Sequence, residues 1–318
     1  MIFKKLIPVM LLLCISTQLM AQKTRAGIPV KIALQAYSFS KLLNDNAKGR
    51  GAGMSLPDLL DFSAENNFDA VDLTGYFFPG YPNVPSDEYI NNVKRKAFQL
   101  GLDICGTGVK NDFANPDPEK RAADVKHVKE WIDVAVKLGA PVIRIFSGNI
   151  PEGYEKRWDE IARYMAASIK ECADYGKKRG VMVGVQNHGD FLKTGDETIR
   201  LVKMVNSEWF GVIVDSGYFL TEDPYADMAK VMPYAVNFLL KESPIPGGSD
   251  VRIDLPKVMK ILKDSKYIGY LPIETLSAKG PGKEGNKSAV KKPAYDPYQV
   301  VPVFLKEVKA AVKEAYKN

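Results

Sequence analysis

Residues 181–190, VMVGVQNHGD, form an apolar run that ends in the polar triplet QNH. In parallel α/β barrels the functional groups extend from the carboxyl ends of buried strands, so a run of this kind predicts an active site where it ends. Two later runs end in the same way: VIVD finishes at Asp215 and YLPIE finishes at Glu274. Three strand ends that each carry an oxygen donor predict one shared site.

The first 21 residues have the pattern of a targeting signal. Lys4 and Lys5 precede an apolar run over 6–15, and a polar stretch leads to a small-residue cleavage position at Ala21. This pattern predicts a secretory signal peptide over 1–21, and its apolar run is shorter than the roughly 20 residues of a spanning helix. We therefore expect an exported bacterial protein, in the periplasm or beyond, with no stable membrane insertion.

The charge balance argues against a nucleic-acid partner. The chain has 44 Lys and Arg against 38 Asp and Glu, a net charge of +6, and loss of the two signal-peptide lysines leaves +4. This surplus is small, and no basic helix with interleaved aromatic residues occurs.

Two cysteines, Cys105 and Cys172, remain after the predicted cleavage. Both lie in apolar surroundings, and neither belongs to a Cys-x-x-Cys metal or redox motif. An export compartment permits a disulfide between them. Their positions nevertheless favour ordinary core cysteines with free thiols.

Short apolar runs alternate with longer amphipathic runs along the rest of the chain. The strands are predicted near 31–38, 69–74, 102–107, 141–146, 181–186, 210–215, 234–241 and 270–275. The helices are predicted near 56–66, 86–100, 118–138, 157–179, 195–206, 223–232, 254–265 and 298–316. Eight strand–helix units of this length predict a (β/α)₈ TIM barrel that forms a single domain over 22–318.

A doubly wound sheet is the structural alternative. Such a sheet normally carries a glycine-rich phosphate turn after its first strand. The first predicted strand here ends in QAYSF at 35–39, which contains no such turn. The sequence therefore favours the barrel.

The residues around the strand ends suggest a metal site. Residues two apart on a strand share a face, so Gln186 and His188 are both expected to point inward. Oxygen donors from Gln186, Asp215 and Glu274 suit a hard divalent cation, and nitrogen from His188 would shift the preference towards manganese or zinc.

Other polar and aromatic residues follow the remaining strands. The predicted substrate-binding residues are Tyr37, Asp72, Tyr76, Arg144, Asn187 and Tyr218. The three tyrosines among them are either packing residues or the rim of a sugar pocket. Lys241 is predicted either to act on the substrate or to pair with Glu242 or a neighbouring acid. The second of the two histidines, His127, is predicted to be a solvated helix residue.

Five motifs in this order resemble a known family. They are QAYSF at 35–39, DLTGYFFP at 72–79, VQNHG at 185–189, VDSG at 214–217 and IET at 273–275. Together they resemble the sugar phosphate isomerase/epimerase family of the xylose-isomerase-like TIM barrel superfamily, over essentially the whole mature chain. The resemblance implies one divalent metal (Mn, Mg or Zn) held by four strand-end residues, which correspond here to Gln186, Asp215, Leu239 and Glu274.

Two of those four positions depart from the family pattern. The family usually has Glu at the first position and His or Gln at the third, where this chain has Gln186 and Leu239. An amide carries no charge and leucine has no donor atom, so weaker dication binding is implied. The pair of proton-transfer carboxylates is also reduced to Glu274. His188 and Lys241 then become candidates for the second proton transfer or for holding oxygen charge.

The resemblance and the signal peptide together imply an exported enzyme that acts on a sugar, keto-sugar or keto-glycoside. Its first step would be proton abstraction next to a carbonyl, which isomerisation, epimerisation and elimination share. The alternatives are a 3-keto-glycoside lyase and a non-catalytic carbohydrate-binding barrel with a degenerate metal site. DNA repair, the activity of the endonuclease IV relatives, is disfavoured because it uses several metals held by many histidines, and this chain has two.

Overall fold

A computed structural model describes residues 29–189, 191–244, 251–276 and 295–317. The predicted signal peptide over 1–21 lies outside the described residues. Eight parallel strands follow one another around a closed barrel, and the last strand pairs with the first. The strands are β1 Val30–Gln35, β2 Ala70–Thr74, β3 Asp103–Gly108, β4 Val142–Phe146, β5 Met182–Gln186, β6 Phe210–Asp215, β7 Ala235–Lys241 and β8 Gly269–Glu274. The predicted (β/α)₈ barrel is confirmed.

Helices connect the strands and cover the outside of the barrel. They are α1 Ser40–Ala47, α2 Leu56–Glu65, α3 Asp87–Gln99, α4 Pro118–Leu138, α5 Trp158–Arg179, α6 Gly195–Val205, α7 Pro224–Val231, α8 Leu255–Asp264 and α9 Pro297–Ala315. Each predicted helix is present within a few residues of its predicted bounds. Among the described residues, no helix combines the length and the apolar character needed to cross a membrane.

The structure differs from the prediction at the end of β1. The strand stops at Gln35 rather than continuing to residue 38, and Ala36–Phe39 form a 3₁₀ turn. The Gln35 side chain accepts a hydrogen bond from the backbone N–H of Tyr37 and caps this turn. Helix α1, directly after the turn, was not predicted because Leu43 is its single buried residue, so it has no apolar periodicity to detect.

The predicted helix starts coincide with side-chain caps, and the helices pack an apolar face against the core. Ser55 caps α2 in a reciprocal capping box with Asp58, and Asp223 caps α7 immediately before a proline. On α5 the periodic apolar residues Ile161, Met165, Ile169 and Cys172 are all completely buried. Cys105 and Cys172 are both buried with free thiols, as the sequence predicted.

The register of the strands brings the polar strand ends to one level. Gln35 on β1 lies beside Asp72 on β2, and Lys241 on β7 lies beside Glu274 on β8. Below this polar layer the barrel interior is filled by small apolar clusters, such as that of Ala33, Ala70 and Cys105. Because the lower interior is already packed, the polar side chains are confined to the carboxyl end of the barrel.

Candidate active site

A cavity of about 420 Å³ opens at the carboxyl ends of the strands. The predicted site residues that line it are Tyr37, Tyr76, Arg144, Gln186, His188, Tyr218, Lys241 and Glu274. Leu239, at the position of the expected third metal ligand, also lines it. Asp72, Asp215 and Asn187 are buried and are not among the residues that line the cavity.

An ammonium group is the central charge of the site. Lys241 Nζ lies 3.0 Å from Glu274 Oε1 and 3.3 Å from Asp215 Oδ2. The lysine side chain is 9% exposed and the two carboxylate side chains are 6% and 0% exposed, so all three groups are withdrawn from water. Glu242, the alternative partner for the lysine, instead accepts a hydrogen bond from Arg252. The lysine is therefore bonded within the site.

Gln186 and Asp215 are in direct contact, as neighbours on adjacent strands. Gln186 Nε2 donates to Asp215 Oδ2 at 2.5 Å, and the other carboxylate oxygen accepts from the backbone N–H of Gly217 at 2.9 Å. An amide beside a carboxylate must present its N–H₂ rather than its oxygen, since the carboxylate is an acceptor only. Gln186 therefore acts towards Asp215 as a donor.

Asn187 does not line the cavity, although we predicted a substrate contact. Its side-chain amide accepts from the backbone N–H of Asp215 at 2.8 Å and donates to the backbone C=O of Asp215 at 3.0 Å. The side chain is completely buried. The oxygen and the nitrogen of the amide thus both join the end of β5 to the end of β6.

The charges of the buried groups follow from their mutual contacts. Burial alone would lower the pKa of Lys241, but the adjacent carboxylates of Asp215 and Glu274 outweigh it, so the pKa is raised and the ammonium persists. Burial raises the pKa of Asp215 to about 6, against the lowering effect of Lys241. The Lys241 ammonium therefore persists between the carboxyl groups of Asp215 and Glu274.

The opposite wall of the cavity carries Arg144. Its guanidinium donates to the Tyr76 hydroxyl and stacks 4.1 Å from the centre of the Phe146 ring. A Cβ at Gly108 would lie 2.7 Å from Arg144 Nε, so the guanidinium lies flat over a position where only glycine leaves room. The arginine is held in place by its neighbours and faces the cavity with a fixed positive charge.

Asp72 lies under the same wall and is 5% exposed. It is hydrogen-bonded by Gln35, whose own Oε1 accepts from the Thr74 hydroxyl at 2.9 Å. Burial raises the pKa of Asp72 to about 6, against Arg144 and Gln35, which lower it. Asp72 is thus bonded to Gln35, a residue of the cavity lining, and is not itself among the lining residues, although we predicted a substrate contact.

Replacement of Asp72 by asparagine should change how stability depends on pH. A folded-state pKa above the unfolded value means that the carboxylate costs stability once pH exceeds about 4, and the full cost of the order of 2–3 kcal/mol is reached above pH 6. Relative to Asp72→Asn, the wild-type free energy of unfolding should therefore fall by that amount between pH 4 and pH 7. Urea unfolding of both proteins measures it, and Asp215 is present in both and cancels. A difference independent of pH would contradict the prediction.

The two histidines have different environments. His188 lines the cavity, stacks on Tyr218 with ring centres 4.1 Å apart, and meets the edge of Phe146 at 4.9 Å. His127 is half-buried beneath Tyr81, whose hydroxyl lies 3.3 Å from His127 Nε2. The prediction of a solvated His127 was therefore wrong, because the aromatic loop after β2 covers that face of α4.

Several residues of the cavity were missed in the sequence, among them Gln35, Phe146 and Lys110. Gln35 had the same signal as Gln186, a polar residue at the end of an apolar strand. Phe146 ends β4, but an aromatic side chain at that position is indistinguishable from core. Lys110 lies in the loop after β3, and only the closed barrel brings it to the cavity.

A family model described as xylose isomerase-like TIM barrel matches residues 60–293. The chain belongs to this family. The match includes seven of the eight strands whole, β2 to β8, and with them most of the cavity residues. No curated protein matches the chain in sequence.

Solved structures of several sugar epimerases share the fold of this xylose isomerase-like barrel. An L-ribulose 3-epimerase matches with TM-score 0.69 at 14% identity, covering 90% of this chain and 95% of that one. A D-allulose 3-epimerase from Methylomonas sp. matches with TM-score 0.67 at 16% identity, covering 89% and 98%. A 3-keto-D-glucoside 4-epimerase from E. coli matches with TM-score 0.63 at 12% identity, covering 88% and 99%. At such identities the likeness establishes the fold.

The donor set of this xylose isomerase-like barrel does not fit the expected metal. Gln186 directs its N–H₂ at Asp215, Leu239 has no donor atom, and an ammonium lies between the two remaining carboxylates. In the part of the chain that the structure describes, no group of three or more His, Cys, Asp or Glu side chains is arranged to hold a metal ion. The predicted ligands are brought together, but Asp215 and Glu274 are paired with Lys241, and Gln186 is bonded to Asp215.

Proposed function

We propose that this protein is an enzyme that removes a proton from the carbon next to the carbonyl of a sugar or keto-sugar. The observation that carries the proposal is the Glu274 carboxylate in the cavity wall with the Lys241 ammonium 3.0 Å from it. A base and a fixed positive charge side by side are what enolisation requires, because one accepts the proton and the other holds the developing oxygen charge. The epimerase relatives add support through their shared fold.

The proposed first step uses the chain's own residues. Glu274 accepts the proton, the C–H electron pair forms a C=C bond, and the carbonyl electrons move onto oxygen. Lys241 donates a hydrogen bond to that oxygen. The size of the cavity, about 420 Å³, is within the range of small-molecule sites, and Arg144 and the tyrosine hydroxyls offer donors to sugar oxygens.

The number of carboxylates affects the fate of the enolised sugar. Among the described residues, Glu274 is the sole carboxylate that lines the cavity. In an isomerisation, a single base returns the proton on the same face to the neighbouring carbon, while the hydroxyl of that carbon gives its proton to the first oxygen and becomes the new carbonyl. In an elimination, the proton is not returned, and a substituent leaves with its bonding electrons. This favours isomerisation or elimination. Epimerisation needs a second group on the opposite face, for which His188 is the candidate.

A second candidate function is sugar binding without catalysis. It is motivated by Gln186, an amide where the family usually has a carboxylate, and by Leu239, an alkyl side chain where the family usually has His or Gln. The two functions differ in proton exchange, since a binding protein has no reason to labilise a C–H bond.

The test is deuterium incorporation. The purified protein should be incubated in D₂O with aldoses, ketoses and 3-keto-glycosides, and each sugar followed by ¹H NMR at the carbon beside the carbonyl. Loss of that proton signal, well above the protein-free rate, is the expected result. A sugar that binds in the cavity and exchanges no proton would overturn the enzymatic proposal in favour of the binding protein.

Export is the other part of the proposal, and it rests on residues 1–21 of the sequence. Sugar phosphates are largely cytoplasmic, so export favours a free sugar or keto-glycoside over a phosphorylated substrate. Expression of the full chain in a bacterial host should yield an exported form whose N-terminal sequence begins at Gln22. An intact N-terminus retained in the cytoplasm would contradict this.

A further inference from the structure

The ammonium of Lys241 is enclosed by a set of contacts built from three strands. Asp215 at the end of β6 and Glu274 at the end of β8 flank it, and the Tyr218 ring lies 4.5 Å from Nζ. The lysine stem passes over Gly217, where a Cβ would lie 2.8 Å from Lys241 Cδ. The VDSG motif therefore supplies both an acid for the ammonium and the glycine that admits its side chain.

The same space is where a cation held by the β6 and β8 carboxylates would have to bind. Lys241 Nζ is already within hydrogen-bonding distance of both, and Gln186 takes a further position on Asp215. A dication added here would meet a buried positive charge at close range, with one fewer carboxylate than the family pattern supplies. Both the occupied space and the like charge oppose its binding.

We propose that the side-chain ammonium of Lys241 replaces the divalent metal in this barrel. The cation that balances Asp215 and Glu274 is then part of the polypeptide, and the protein needs no dication to assemble its site. The catalytic consequence, that Lys241 holds the oxygen charge a metal would otherwise hold, rests on the proposed function. The replacement itself is a statement about cation binding and is independent of it.

Removal of the ammonium should turn the site towards metal binding. Lys241→Met keeps a long side chain of similar length but leaves two buried carboxylates without a counter-ion. A dication then relieves their repulsion, so the variant should gain affinity for Mn²⁺ by at least about tenfold. Lys110→Met is the matched control, because Lys110 is a lysine of the same cavity that contacts Tyr76 and neither carboxylate.

The experiment titrates MnCl₂ into chelator-treated, dialysed protein. Free Mn²⁺ is followed by electron paramagnetic resonance, and the unfolding temperature is measured with and without the metal. Wild type and Lys110→Met should bind no stoichiometric Mn²⁺ and show no shift, whereas Lys241→Met should bind one equivalent and be stabilised by it. Stoichiometric binding by wild type that is lost in Asp215→Asn, or a folded Lys241→Met that gains no affinity, would overturn the proposal.

The wild-type titration and the exchange rate with a chelator distinguish failure of the metal replacement from failure of the proposed function. If Lys241→Met does not fold, the wild-type titration alone decides, since stoichiometric Mn²⁺ contradicts the replacement and its absence supports it. If wild type exchanges substrate protons, a chelator should leave the rate unchanged. If no sugar exchanges, the proposed function fails while the titration still reports on Lys241.

Discussion

Replacement of Glu274 by glutamine is expected to lower the rate of substrate proton exchange by about 10²–10⁴-fold, the usual contribution of a general base. The variant should remain folded, because Lys241 keeps Asp215 as a counter-ion and a glutamine oxygen still accepts its hydrogen bond. Substrate affinity should change little, since glutamine preserves the shape of the cavity. The exchange rate in D₂O, measured by NMR at saturating sugar, checks the prediction.

The control for this variant is Glu242→Gln. Glu242 is the next residue after β7, also at the top of the barrel, but its carboxylate is bonded to Arg252 and does not line the cavity. The same chemical change there should leave the exchange rate within about twofold. If Glu274→Gln retains wild-type exchange, the base must be another residue and the proposed mechanism fails.

The second large effect is expected from Lys241→Met in the absence of metal. Removal of one partner from a buried ion pair leaves uncompensated charge, which typically costs about 3–5 kcal/mol of stability. Here the lysine bridges two acids, Asp215 and Glu274, that would then repel each other. Burial raises the pKa of Asp215 to about 6, and protonation of Asp215 relieves that repulsion, so the loss of stability should be largest near pH 8 and smaller near pH 5. Urea unfolding with excess chelator, at both pH values, measures it.

Lys230→Met is the reference for this measurement. Lys230 also bridges to a carboxylate, at 3.0 Å from Asp196, but both side chains are largely exposed to solvent. An exposed pair typically contributes less than about 1 kcal/mol, so Lys230→Met should lose much less stability than Lys241→Met. Equal losses for the two lysine variants would mean that the Lys241 bridge has no special energetic role.

The fold could be predicted because its signals are local. Apolar runs such as 181–186 and periodic helix faces such as that of α5 are detectable in short windows, and the barrel is inferred from their alternation. The two errors in the predicted secondary structure also have local causes. Helix α1 has a single buried residue, and the end of β1 is set by a side-chain cap at Gln35 that no periodicity reveals.

The sequence predicted which residues belong to the candidate site better than it predicted their contacts. A polar residue at the end of an apolar strand correctly located Gln186, Lys241 and Glu274 in the cavity. The same rule placed Asn187 there as well, although its amide turns to the neighbouring backbone. Which way a strand-end side chain turns depends on the partner beside it, and that partner comes from a distant part of the chain.

Strand polarity and alternation are properties of contiguous residues, so the amino-acid sequence was enough to establish a parallel barrel whose polar strand ends meet in one place. The interactions among those polar residues were decided by the tertiary structure. Asp215, Lys241 and Glu274 are separated by tens of residues along the chain, and barrel closure brings the ammonium within 3.3 Å of both acids. Electrostatic contact depends on distance in space. For that reason three residues that resemble metal ligands and a base in the sequence form a buried ion network in the folded protein.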